Sequence, residues 1–141
     1  MRSKCLCFSR KILIFPCSGA SIYGELSDRV ARDLSKKTAI KMCCLAGALA
    51  NDIKFQESSR KADFVISLDG CPMACATRAL SAGGVKGIVA LSMVNLCRGR
   101  KIAKADKETV AALTREIIRL LERRRKTKRS RAGAQRREHP P

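Results

Sequence analysis

Three cysteines recur at a fixed interval in this chain, and a fourth follows the last of them closely. Cys17, Cys44 and Cys71 are 27 residues apart, and Cys75 lies four residues beyond Cys71. Each of the first three follows an apolar run that is typical of a buried strand. Cysteine thiolates are strong ligands for zinc and for iron–sulfur clusters, provided that they converge. The spacing therefore predicts a metal site formed by these four residues.

The segments between the cysteines alternate between strand and helix patterns. Apolar runs predict strands over residues 12–15, 39–44, 64–68 and 85–94. Helical spacing of apolar residues predicts helices over about 22–34, 45–53 and 71–80, and a last helix that Asp106 caps and whose apolar stripe ends at Leu121. Such alternation is typical of right-handed crossovers. We therefore expect an α/β fold, a small three-layer domain with a mostly parallel four-stranded sheet.

This fold would bring the cysteines together. Parallel strands end at one edge of the sheet, where ligand sites gather. Neighbouring strands are about 4.8 Å apart, and two thiolates on one zinc ion lie roughly 3.8 Å apart, so small loop adjustments suffice. With Cys71 at the start of its helix and Pro72 at the first helical position, Cys75 would lie one turn further on the same face.

Four sequence motifs carry a resemblance to a known family. They are PCSGAS at 16–21, GELSDRVARDL at 24–34, CLAG at 44–47 and DGCPMAC at 69–75. Over roughly residues 11–96 the chain resembles the DGC-domain family of zinc-binding proteins. The resemblance implies a zinc ion held by four cysteines, which by motif fall on Cys17, Cys44, Cys71 and Cys75. It implies a structural or metal-handling role and no particular reaction.

Other uses of these thiols stay open. An iron–sulfur cluster takes the same ligands as zinc, and without metal the thiols would be reactive groups of a redox protein. Cys43 adjoins Cys44 and could replace it as a ligand. Cys97 follows Cys71 after 26 residues and could be a fifth thiol at the same edge.

No residue pattern demands catalysis. In a thiol phosphatase, five residues separate the nucleophilic cysteine from an arginine, whereas six residues separate Cys71 from Arg78. The single histidine, His139, lies near the carboxyl terminus. Asp69 could accept a hydrogen bond beside the metal site, bind a hard ion or form a turn before Gly70, and the last is the commonest use of Asp-Gly. We therefore expect no catalytic residue.

The charge of the chain is concentrated near its carboxyl terminus. The net charge is +18, and nine Lys and Arg lie between Arg123 and Arg137 without any acid. We divide the chain into an N-terminal extension (1–10, with Cys5 and Cys7), a metal-binding domain (11–122) and a basic disordered tail (123–141). The tail predicts unspecific contact with nucleic acid through its phosphates, because it has no aromatic residue for base stacking.

Membrane and secretory signals are not predicted. No apolar stretch approaches the ~18 residues of a spanning helix, and Arg10 and Lys11 interrupt the apolar N-terminal segment that a secretory signal would need. We therefore expect a cytoplasmic protein with reduced cysteines and no membrane contact.

Overall fold

The computed structural model describes residues 11–50 and 53–135. Four strands and six helices alternate along this part of the chain. In order they are β1 (Ile12–Pro16), α1 (Ile22–Lys37), β2 (Lys41–Met42), α2 (Ala46–Leu49), α3 (Ile53–Arg60), β3 (Phe64–Asp69), α4 (Cys75–Ala82), β4 (Ile88–Ser92), α5 (Met93–Leu96) and α6 (Lys107–Gln135).

The four strands form one parallel sheet in the order β2-β1-β3-β4. β1 and β3 pair along their length, with Ile12 opposite Phe64 and Pro16 opposite Leu68. The predicted α/β fold with a four-stranded sheet is confirmed, and every neighbouring pair is parallel.

Two apolar cores lie on opposite sides of the sheet. Successive side chains of a strand point to opposite faces. Ile12 and Ile14 of β1 accordingly pack in one core with residues of α1 and α6. Leu13 and Phe15 pack in a second core with Leu80 of α4. Helices therefore cover both faces, which is the three-layer arrangement that the sequence predicts.

The second strand-and-helix unit differs from its prediction. β2 has only two residues, and the helix expected over 45–53 is replaced by α2 and α3. The predicted apolar stripe is also wrong, since Leu49 is 63% exposed and Ile53 is 74% exposed. Ala48 and Phe55 contribute to the second core instead. The ring of Phe55 makes an edge-on contact with Phe15 of β1, with centroids 5.4 Å apart.

The fourth strand is shorter than the predicted 85–94. Its end is set by Ser92, whose Oγ accepts a hydrogen bond from the backbone N–H of Asn95 and so caps α5. At its start, Gly87 has a φ of 67° and precedes the first paired residue. A glycine suits this left-handed conformation because it lacks a Cβ.

The last helix begins as predicted and continues further than predicted. The Oδ1 of Asp106 accepts a hydrogen bond of 2.8 Å from the backbone N–H of Thr109, and Leu113, Ile117 and Leu121 are buried. Beyond Leu121 the backbone stays helical to Gln135. Residues 123–135 thus extend α6, where the sequence analysis placed a disordered tail, because Arg and Lys are good helix formers. Residues 136–141, and the N-terminal extension 1–10, lie outside the described residues.

No helix within 11–50 or 53–135 combines the length and the apolar character that crossing a membrane requires.

Candidate metal centre

The four predicted ligands lie beyond the carboxyl ends of three strands. Cys17 follows β1 directly, Cys44 lies two residues after β2, and Cys71 lies two residues after β3. Because β1 is between β2 and β3 in the sheet, Cys17 is at the centre of this set. Cys75 is the first residue of α4. These four cysteines define the thiol edge.

The thiol edge contains the topological switch point of the sheet, which lies between β1 and β3. The chain passes from β1 to β2 on one side and then crosses to β3 on the other. In open parallel sheets, a ligand crevice forms where connections leave a strand pair in opposite directions. Here the loops after β1 and β3 border that crevice. The backbone N–H of Cys17 donates to the carbonyl oxygen of Leu68 at 2.9 Å, so the two strands stay paired until both loops begin.

Glycines allow the backbone of these loops and of α1 to approach closely. A Cβ on Gly70 would lie 2.6 Å from the Cα and N of Gly24, and a Cβ on Gly24 would lie 2.7 Å from the carbonyl oxygen of Gly19. Real Cβ atoms do not approach backbone so closely, so only glycine fits at 24 and 70. A Cβ on Gly19 would lie 3.4 Å from the sulfur of Cys17. The Asp-Gly-Cys loop is therefore packed on the first turn of α1 and, through it, on the loop that carries Cys17.

Asp69 caps the helix that begins at Cys75. Asp69 is 4% exposed, and its Oδ1 accepts hydrogen bonds from the backbone N–H groups of Ala76 at 2.8 Å and Thr77 at 3.3 Å. The residue at the usual capping position, Ala74, has no side-chain oxygen and makes no capping bond. The carboxylate at the end of β3 thus satisfies helix N–H groups that local sequence leaves without a partner.

A chain of hydroxyl groups fixes the other oxygen of this carboxylate. The hydroxyl of Thr77 donates to Oδ2 of Asp69, and the Oγ of Ser67 lies 2.6 Å from the Oγ1 of Thr77. Since the single proton of Thr77 is directed to Asp69, Ser67 donates to Thr77. Ser67 is fully buried in β3. The network joins the strand to the first turn of α4, and it fixes the position of Cys75.

The segment between Cys71 and Cys75 is a turn, which corrects the predicted helix over 71–80. The backbone N–H of Ala74 donates to the carbonyl oxygen of Cys71 at 3.1 Å, which closes a turn with Pro72 at its second position. Ala74 has a φ of 50° and is the one non-glycine residue with positive φ in the described ranges. A left-handed alanine costs about 1–2 kcal/mol. Cys71 therefore does not share a helix face with Cys75.

The side chains of the thiol edge do not yet converge. Cys17 is buried, Cys71 is half-buried, and Cys44 and Cys75 are exposed, all as free thiols. Among the described residues, no three Cys, His, Asp or Glu side chains are grouped closely enough to hold a metal ion. The backbone places the four cysteines at one edge without assembling a coordination sphere.

Cys43 and Cys97, the alternative ligands, pack in the two cores. Cys43 contacts the second core, and burial raises the pKa of its thiol although Lys11 and Lys41 oppose this. Cys97 belongs to the first core, and burial likewise raises its pKa against the effect of Arg100. A raised pKa disfavours the thiolate that binds metal. Both residues act as small apolar side chains here.

A groove of about 770 Å³ lies beside Cys44. Its walls include Ser18 and Arg32, and both contact the carboxylate of Asp28: the Oγ of Ser18 at 3.2 Å and the Nε of Arg32 at 2.7 Å. Met42 forms part of the same wall. No sequence pattern indicates this groove, because it forms between the end of β2 and the exposed side of α1.

The role of Asp69 was also missed. The carboxylate of Asp69 accepts its hydrogen bonds from α4 and not from the turn at Gly70. Known capping patterns connect residues two or three positions apart. The distance in sequence from Asp69 to Thr77 exceeds this, so only the fold reveals the pairing.

Comparisons with known proteins relate the chain to one family. The chain is 30% identical over 63 residues to the anaerobic and virulence modulator AnvM of Pseudomonas aeruginosa, a match that covers 45% of this chain and 48% of that protein. The chain thus spans about half the length of this curated relative. No solved structure matches. A family model for the DGC domain matches residues 13–117, a range that includes β1 through most of the buried part of α6 and all four cysteines of the thiol edge. The chain therefore belongs to the DGC domain family.

Proposed function

We propose that this protein binds one zinc ion through Cys17, Cys44, Cys71 and Cys75. The observation that carries the proposal is the placement of four free thiols around the switch point of the sheet. Zinc is commonly held by four cysteines in structural sites. Membership in the DGC family supports metal binding in general, and the donor set supports zinc in particular.

Four cysteine thiols are suitable ligands for zinc, but their side chains must move closer together to share one ion. Cys17 and Cys71 leave neighbouring strands, whose spacing is close to the separation of two thiolates on one ion. Cys44 and Cys75 are exposed, Cys44 in the connection between β2 and α2 and Cys75 at the start of α4. Closing the site therefore needs movement of the connection that carries Cys44 and of the Cys75 side chain, and not of the core.

A structural or regulatory use of the metal is favoured over catalysis. Four thiolates fill the coordination sphere of zinc and leave no position for water or substrate. The relative from Pseudomonas aeruginosa is named as a modulator, which supports a regulatory role for this chain as well.

Metal analysis tests the proposal directly. Zinc, iron and acid-labile sulfide are measured per chain in protein purified anaerobically, for the wild type, Cys71→Ala and Cys97→Ala. The expected result is near-stoichiometric zinc in the wild type and Cys97→Ala, and loss of zinc in Cys71→Ala. Circular dichroism of the metal-free wild type and both variants shows whether a loss of zinc reflects a lost ligand or a lost fold.

Each other outcome overturns the zinc proposal. Iron with labile sulfide and visible absorption would assign the same thiols to an iron–sulfur cluster. Metal-free protein whose thiols react rapidly would assign them to redox chemistry. Zinc retained in Cys71→Ala would place the ligands elsewhere, and zinc loss in Cys97→Ala as well, with folding intact, would make Cys97 a ligand and overturn the proposed set.

A further inference from the structure

A basic groove lies at the side of α6, away from the thiol edge residues. It has a volume of about 530 Å³, and its basic lining residues are Arg100, Arg115, Arg119 and Arg123. None of the four cysteines of the thiol edge lines it. We refer to these four arginines as the arginine groove.

The helix aligns three of these arginines. Arg115, Arg119 and Arg123 are spaced by four residues, so they are stacked along one face of α6. All three are exposed. Arg100 approaches from the preceding loop, where its Nη2 lies 2.7 Å from the Oε2 of Glu116. With Glu116 as the acid in the lining, the groove carries a net charge of +3, from four arginines and one glutamate.

The groove continues into two further basic segments. The loop before α6 contains Arg98, Lys101 and Lys104 in addition to Arg100, all exposed, and no acid from 98 to 105. In the other direction, α6 continues to Gln135 through RRRKTKR. Basic surface is therefore present on the folded domain itself and is not confined to the terminal segment.

We propose that the arginine groove is a binding face for the phosphate backbone of double-stranded nucleic acid. Guanidinium groups match phosphate oxygens in planar, bidentate geometry. Arginines stacked at intervals of about 6 Å along a helix can contact successive phosphates without reading bases. This proposal is independent of the metal site.

A membrane surface fits this face less well. Helices that lie in the membrane interface need an apolar face opposite the charges. From Glu122 to Arg131 the sequence of α6 contains no apolar residue. The apolar stripe that ends at Leu121 is already buried against the sheet.

Titration of a labelled DNA duplex of about two helical turns, followed by fluorescence anisotropy over a salt series, tests the proposal. The variant is Arg115→Gln/Arg119→Gln in the full chain. Its control is Lys54→Gln/Arg60→Gln, which removes the same charge from exposed positions on α3, on the opposite face of the sheet. Both pairs preserve the chain length and the basic terminal segment.

Arg115→Gln/Arg119→Gln should lose two phosphate contacts, which changes the salt dependence of duplex binding by a calculable amount. The slope of log K against log salt should become shallower by about 1.8, which corresponds to roughly 60-fold weaker binding at about 0.1 M salt. The control should bind within a few-fold of the wild type. Glu116→Gln, which releases Arg100 from its ion pair, should strengthen binding and steepen the slope.

Three results would overturn the proposal. Equal weakening of both double variants would show a response to net charge alone. Unchanged binding in Arg115→Gln/Arg119→Gln would confine binding to the terminal segment. Vesicles with anionic headgroups that bind the wild type more tightly than the duplex, with the same loss in the variant, would assign the face to membrane surfaces.

Discussion

The two sides of the thiol edge differ in how firmly they are held. The anchored side comprises residues 17–24 and 69–77, and it carries Cys17, Cys71 and Cys75. Glycine contacts and the hydrogen bonds of Asp69 fix it. The open side comprises residues 41–50 and carries Cys44 between a two-residue strand and a four-residue helix that lacks a side-chain cap.

This difference indicates how a metal would act on the fold. The anchored side is built from contacts that involve no metal, so the backbone that carries three of the proposed ligands is held in place, although the described side chains are not grouped as a metal site. The open side is held at Ala48, where a Cβ on Gly83 would lie 2.4 Å from the carbonyl oxygen, but Cys44 and Leu49 on either side of it are exposed. If zinc binds as proposed, it would order mainly the open side, and most of its binding energy would be coupled to the position of Cys44.

A methyl group added at Gly70 should have the largest effect on the anchored side. In Gly70→Ala the new Cβ would meet the backbone of Gly24 at 2.6 Å, and backbone cannot yield as a side chain can. We expect about 3 kcal/mol of lost stability or more, measured by urea denaturation of the metal-free protein.

Gly47→Ala supplies the matched control on the open side. There the Cβ would meet only the ring of Phe55 at 3.2 Å, and alanine gains roughly 0.5–1 kcal/mol over glycine in a helix. We expect a change close to zero. Similar losses in the two variants would show that the open side is as tightly packed as the anchored side.

Removal of the Asp69 charge should have the next largest effect. In Asp69→Asn a neutral amide replaces a buried carboxylate that accepts hydrogen bonds from Ala76, Thr77 and the Thr77 hydroxyl. Bonds to a charged group contribute about 1.5–3 kcal/mol, so we expect a loss of about 2 kcal/mol in urea denaturation.

A metal titration of the same variant would sharpen the comparison. Because Asp69 fixes the first turn of α4, Cys75 should be less well placed, and zinc affinity should fall while Cys44 is untouched. Thr77→Val removes the hydroxyl and keeps the shape, so it should show a smaller effect in the same direction. Unchanged stability in both variants would mean that α4 does not depend on this network.

The sequence predicted the features that depend on local pattern. The strands β1 and β3, the burial of Leu113 and Ile117, and the cap at Asp106 were predictable because each depends on residues a few positions apart. The contact of Gly70 with Gly24 was not predictable, because it joins the loop after β3 to the first turn of α1, far away in the sequence.

On the open side, a local pattern gave a wrong prediction. The apolar spacing of Leu45, Leu49 and Ile53 predicted one amphipathic helix, and periodicity alone cannot tell which apolar residues find a partner. The second core is filled by Ala48 and Phe55, which leaves Leu49 and Ile53 exposed. The position of Cys44 thus follows from packing that the local pattern does not encode.

Asp106 permits a smaller test that compares a local cap with the remote cap at Asp69. A hydrogen bond from the backbone of Thr109 lowers the pKa of the Asp106 carboxyl, and the Thr109 side chain adds to this effect. Since the folded pKa lies below the unfolded value of about 3.9, ionised Asp106 stabilises the protein above that pH. The contribution is lost as the pH falls through the folded pKa.

Asp106→Asn isolates this charge, because asparagine caps helices about as well as aspartate. The wild type should exceed the variant in stability by a small, constant amount from neutral pH down to about 5, and the difference should shrink below about 4. Urea denaturation of both proteins across this range measures it. A difference that persists at the acid end, where Asp106 is protonated, would mean that the charge of Asp106 does not cause it. The remote cap at Asp69 would then be the one carboxylate of these two whose charge supports a helix.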